Sequence, residues 1–118
     1  MPTFTRCLGW GVEALQRSGA DPYVGLKLAT IFTAAGLPLP ALSIQASIGA
    51  GPEHPVYTAV AGLMRTLLPS IVALGVATAD EVDVDTLASR ISDEAVATGA
   101  TVIWTTVIGA ASRKPKQQ

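Results

Sequence analysis

Between Thr101 and Ala111 (TVIWTTVIGAA) no charged residue interrupts the chain, and the run predicts a long β-strand that is apolar on both faces. Val102, Trp104 and Ile108 fall on one face and Ile103 and Val107 on the other. Such a strand needs covering layers and neighbours on both edges. One other strand is legible. Leu42, Ile44, Ala46 and Ile48 alternate with Ser43, Gln45 and Ser47, the period of two of a strand with one more polar face. Two strands cannot close a sheet of this kind, so the pattern predicts an exposed edge, completed by another chain or by another part of the same domain.

The remaining segments carry helical spacing. From Thr5 to about Arg17, Leu8, Val12 and Leu15 form a stripe flanked by Trp10 and Ala14, weakened at Gly9 and Gly11. Asp21 and Pro22 give a start signal for a second helix, with Val24, Leu28, Ile31 and Ala35 as its buried stripe and Gly36 as its stop. A third helix begins near Pro55 and buries Val56, Val60, Leu63, Leu67, Ile71 and Leu74, with Pro69 expected to kink or divide it. A fourth carries Val84, Leu87, Ala88, Ile91 and Ala95 behind Asp83 as N-cap, and Gly99 ends it. The order is helix, helix, strand, two or three helices, strand, with the two strands as antiparallel neighbours. The expectation is a single domain or partial domain over residues 1–118.

Composition narrows the function classes. At 49% hydrophobic and 14% charged residues with net charge −1, the 118-residue chain has enough apolar content for a core. It has no basic face for nucleic acid, so DNA or RNA binding is not expected. Cys7 is the only cysteine, which removes an intrachain disulfide framework and a thiolate zinc cluster and points to a reducing, cytoplasmic setting. The N-terminus lacks the basic-then-apolar order of a signal peptide. The apolar stretch from Val56 to Ala77 is broken by Arg65 and Pro69 and reads as a core-facing helix rather than a membrane span.

No motif is a self-sufficient active site, and neither catalytic nor metal-ligating residues are assigned. His54, the lone histidine, sits in a strand-to-helix connection, where it can meet a ligand as acid, base or donor or simply be an exposed loop residue. Trp10, His54 and Tyr57 are the candidate substrate-binding residues, because flat amphipathic side chains near element ends line small-molecule pockets; ordinary packing is the alternative for Trp10 and Tyr57. Gly49 to Pro52 (GAGP) follows a strand but is a turn, not a phosphate loop, since Pro52, Glu53 and Pro55 remove donors or add negative charge. Asp80, Glu81, Asp83 and Asp85 lack the spacing and central glycine of a calcium loop and suit helix capping.

Asp21 to Pro40 (DPYVGLKLATIFTAAGLPLP) resembles the segment preceding the sixth strand of class I S-adenosylmethionine-dependent methyltransferases of the bacterial small-molecule type, where a helix ends in an AGL turn, here Ala35, Gly36 and Leu37. Val107 to Pro115 (VIGAASRKP) is similar to their seventh strand and closing tail, with Ala111 where a tryptophan is common. Gly75 to Ile91 resembles the helical insert that covers the substrate. The resemblance implies an α/β protein, an incomplete Rossmann-like methyltransferase fold, or α+β if the chain is taken alone, with a lid-like helical insert over about residues 52–98. It implies the substrate-side C-terminal half of such an enzyme, as a gene fragment, split subunit or truncated form, acting on a small-molecule methyl acceptor. The glycine-rich cofactor turn is absent, so the chain alone is expected to bind no S-adenosylmethionine and to be inactive without an N-terminal half. The alternative is a non-catalytic module that dimerises through its strand edge or binds a small ligand.

Overall fold

A computed structural model describes residues 1–115. Helix α1 (Pro2–Arg17) leads through a 3₁₀ turn (Val24–Lys27) into a short α2 (Leu28–Ala34) and strand β1 (Ala41–Gly49). Helices α3 (Pro55–Ala73), α4 (Ala79–Val82) and α5 (Val84–Thr98) follow, and β2 (Val102–Ala111) closes the order. The architecture is α+β: helices beside a small antiparallel sheet of β1 and β2.

The core lies where α3 and α5 cross α1 and the near end of the sheet. Val56, Tyr57, Val60, Met64 and Ile71 of α3 are buried together with Leu87, Ile91 and Ala95 of α5, Cys7 and Ala14 of α1, and Val102 and Trp104 of β2. Helix α3 is long and apolar enough to cross a membrane by length and composition; its buried residues pack it here as a core helix. It runs through Pro69 without a break, so of the kink or division expected there the division does not occur. Leu63 is exposed and Met64 and Tyr57 take the buried face instead.

Helix α1 starts three residues earlier than its stripe predicts, because its first turn has a remote acceptor. The Glu94 carboxylate of α5 accepts from the Thr3 N–H at 3.1 and 3.2 Å and from its hydroxyl at 2.5 Å, satisfying orphan donors that Pro2 and Met1 cannot. This tie rotates the helix. Its buried positions are Cys7 and Ala14, flanked by Phe4 and Trp10, while Leu8 faces solvent. At the other end, the Arg17 guanidinium donates to the Leu74 carbonyl at 2.7 Å, covering an acceptor at the C-terminus of α3.

Burial pushes the Cys7 thiol above its ordinary value; the positive charges of Arg90 and Arg6 oppose that rise and the Glu94 carboxylate adds to it. Cys7 is fully buried, so it should react with a thiol reagent only as fast as the core opens. The expected result is slow modification of the native chain and immediate modification in denaturant. Rapid native labelling by Ellman's reagent would place Cys7 outside a stable core.

The predicted stripe of the second helix is not buried. Asp21 accepts from the Lys27 ammonium at 2.6 Å and from the Tyr23 N–H at 2.9 Å, and these bonds, the lysine's first, hold its carboxyl below the ordinary range. The turn they stabilise winds as 3₁₀ over Val24–Lys27, and only Leu28–Ala34 is α-helical. None of these residues is buried. Gly36 does stop the helix with φ +83°. Asp83 stands at the N-cap of α5 as expected, with φ +45°, but its side chain makes no capping bond to the backbone and accepts instead from the Thr86 hydroxyl at 2.7 Å. The capping box belongs to Thr78 and Glu81 at α4, a helix the periodicity did not show.

The strands pair antiparallel from Ala41 opposite Ala111 to Gly49 opposite Val102, with a register shift between Gln45 and Ser47. Gln45 pairs with Val107 and Ser47 with Trp104, so β2 carries one extra residue, a β-bulge. The bulge exchanges faces along β2. Val107 shares the register face of Val102 and Trp104, and Ile108 that of Ile103, the reverse of strict alternation. Val102 and Trp104 are buried, whereas Ile103 and Val107 are exposed. The α-helices therefore cover the Val102 and Trp104 face at one end, the 3₁₀ turn meets Ile108 on the other face, and the paired strands project beyond the core: the chain measures 60 × 33 × 17 Å with a radius of gyration of 17.7 Å, against about 13.5 Å for a compact domain of this length.

Candidate functional site

The connection from β1 to α3 is built by backbone geometry that glycine and a cap make accessible. Gly51 has φ +81° and Glu53 φ +56°, turning the chain sharply so that His54 lands at the N-cap of α3. The His54 Nδ1 accepts from the Val56 N–H at 3.1 Å. With Nδ1 engaged as acceptor, Nε2 is the ring nitrogen left to donate. Pro55 follows at the first helical position, where no backbone donor is needed.

Tyr57 locks the turn from below. It is buried, and its hydroxyl donates to the Gly51 carbonyl at 2.6 Å. The Glu53 N–H donates to Ser92 Oγ of α5 at 3.1 Å, attaching the same loop to a second helix. The His54 and Tyr57 rings meet edge to face with centroids 6.3 Å apart. Between them and α5 lies a cleft of about 240 Å³ lined by Glu53, His54, Tyr57, Thr58, Ser89 and Asp93, among others.

Two of the three candidate residues, His54 and Tyr57, therefore share one cleft. Trp10 does not line it: it is half-buried on α1, with the Arg6 guanidinium 4.9 Å from its ring centroid. The sequence reading missed Ser89, Ser92 and Asp93. Their signal was present on α5, where each lies one or two residues from the buried Ile91, the polar margin of an amphipathic stripe.

The cleft offers hydroxyls, a carboxylate and an imidazole to a small polar molecule. At about 240 Å³ it is smaller than the roughly 300–1,000 Å³ of most small-molecule sites, a volume for a small polar molecule and not for one the size of a nucleoside. The residues after β1 do not fit S-adenosylmethionine either. Gly51 has its carbonyl engaged by Tyr57, Pro52 and Pro55 lack donors, and no glycine-rich turn presents a row of free N–H groups. Among the described residues, no three His, Cys, Asp or Glu side chains come together as a metal site. The acidic segment is explained locally, with Glu81 in the capping box and Asp85 paired to Arg65 at 2.7 Å on the surface.

Comparison with protein-family models, with curated proteins and with solved structures returns no match.

Proposed function

We propose that this chain is the substrate-side part of an S-adenosylmethionine-dependent small-molecule methyltransferase of Rossmann-like fold. The observation that carries the reading is a two-stranded sheet that ends in midair. Among the described residues β1 and β2 pair with each other alone, and Leu42, Ile44, Ile48, Ile103 and Val107 are exposed. The antiparallel pairing suits the resemblance of β1 to the family's sixth strand and β2 to its seventh, which that family places between the fifth and sixth. The outer edge of β2 is then where a cofactor-binding half, in the same protein or another, continues the sheet. The cleft at His54 and Tyr57 opens beside the end of β1, where α/β enzymes hold ligands.

This chain would contribute the acceptor pocket and its helical cover, excluding water and orienting the acceptor. His54 would donate from Nε2 to the acceptor; its cap bond occupies the other ring nitrogen. The test is isothermal titration of the purified chain with S-adenosylmethionine, repeated after co-expression with a glycine-rich methyltransferase front half and followed by a methyl-transfer assay. No binding alone, and binding with transfer in the complex, is the expected result. Saturable binding near one cofactor per isolated chain would end the proposal. Within the active complex, His54→Asn keeps a capping acceptor and should lower acceptor turnover about tenfold or more. Unchanged turnover would remove His54 from the site.

A further inference from the structure

The molecule carries far more surface than its mass requires. Its accessible surface is 7641 Å², whereas a compact monomer of 12.1 kDa exposes roughly 6,000 Å². On β1, Leu42, Ile44 and Ile48 are 56%, 68% and 62% exposed, and its only strand neighbour among the described residues is β2.

We propose that the occupant of the β1 edge is a second copy of this chain, the two β1 strands pairing antiparallel across a two-fold axis to make one four-stranded sheet. The strand is self-complementary. Centred on Gln45, the pairing sets Leu42 opposite Ile48 of the other copy and Ile44 opposite Ala46 on one face, with Ser43 opposite Ser47 on the other. Every apolar position meets an apolar position, as an isologous contact requires.

Nothing in the strand opposes this pairing. Ala41–Gly49 contains no lysine, no other charge and no proline, the devices that keep free edges apart. A net charge of −1 per chain adds little repulsion between copies. Four strands also meet the minimum that an isolated pair does not. The methyltransferase reading uses the outer edge of β2 and leaves β1 free, so the inference stands apart from it.

The test is the solution mass of the full chain by light scattering at micromolar concentration, with circular dichroism on the same sample. Twice the 12.1 kDa chain mass is expected, insensitive to salt because the edge is uncharged. Ile44→Lys, which sets charge on the shared apolar face, should weaken the dimer by at least about tenfold. Val96→Lys places the same charge on exposed α5 and should leave the mass unchanged. A folded monomer at every concentration would overturn the proposal. So would a dimer that survives Ile44→Lys and falls apart with Val107→Lys, which would put the contact on β2. Displacement of the second copy by a methyltransferase front half would likewise overturn the assignment of β1. Cofactor titration remains a separate readout, so either proposal can fail without the other.

Discussion

Trp104→Ala should destabilise the fold by about 3–5 kcal/mol, the range for removing a buried aromatic side chain that leaves a cavity. Trp104 is 9% exposed, and its ring meets Phe4 of α1 edge to face with centroids 5.9 Å apart. It is the large side chain that joins the paired strands to the helices, because beyond the bulge the same register face is exposed at Val107. Ile44→Ala, on the projecting part of β1, should change the stability of the monomer by no more than about 0.5 kcal/mol. Urea unfolding followed by circular dichroism measures both, at a concentration low enough to keep the chain monomeric. Similar losses for the two variants would mean that the far end of the paired strands is packed as firmly as the near end. The contrast between Trp104 and Val107 tests the bulge: Val107 shares the register face of Trp104 yet is exposed, so Val107→Ala should behave like Ile44→Ala.

The sequence made the elements legible wherever periodicity or glycine decided them. Gly36, Gly75 and Gly99 all stand at positive φ where helices end, and both strands pair in the expected direction. What it did not show depended on partners distant along the chain. The stripe of α1 turns toward Cys7 and Ala14 because Glu94, ninety-one residues away, receives its first turn. The bulge is invisible in a run that is apolar on both faces, since either alternation is hydrophobic. The exposed stripe of α2 misleads for a related reason. Hydrophobic spacing states which face should be covered, yet Val24 and Ile31 of that stripe stay exposed. His54 and Tyr57 could be placed together because they are three residues apart at a helix start. Their polar neighbours on α5 come from tertiary packing of a second helix, and Trp10 was drawn in by residue type alone.

Gly49→Ala should cost about 2 kcal/mol, a large effect for one methyl group, because of where that methyl would stand. Gly49 is the last residue of β1 and is buried. A Cβ built on it falls on the His54 imidazole, with Nδ1 the first atom met. Two responses are open to the chain. If the ring swings away, the Val56 N–H loses its acceptor and the cap of α3 is lost, a cost of about 0.5–2 kcal/mol. If the ring stays, β1 and α3 must separate, at roughly 1–3 kcal/mol for an overpacked contact. Either response disturbs the cleft, so the variant should also weaken whatever the cleft binds. The decisive measurement is a double-mutant cycle with His54→Ala, which removes the ring and with it the obstacle. In that background Gly49→Ala should cost little beyond the lost cap, giving a coupling of more than about 1 kcal/mol. Additive losses would mean that the two residues act separately and that the glycine at the end of β1 is not there to seat the imidazole.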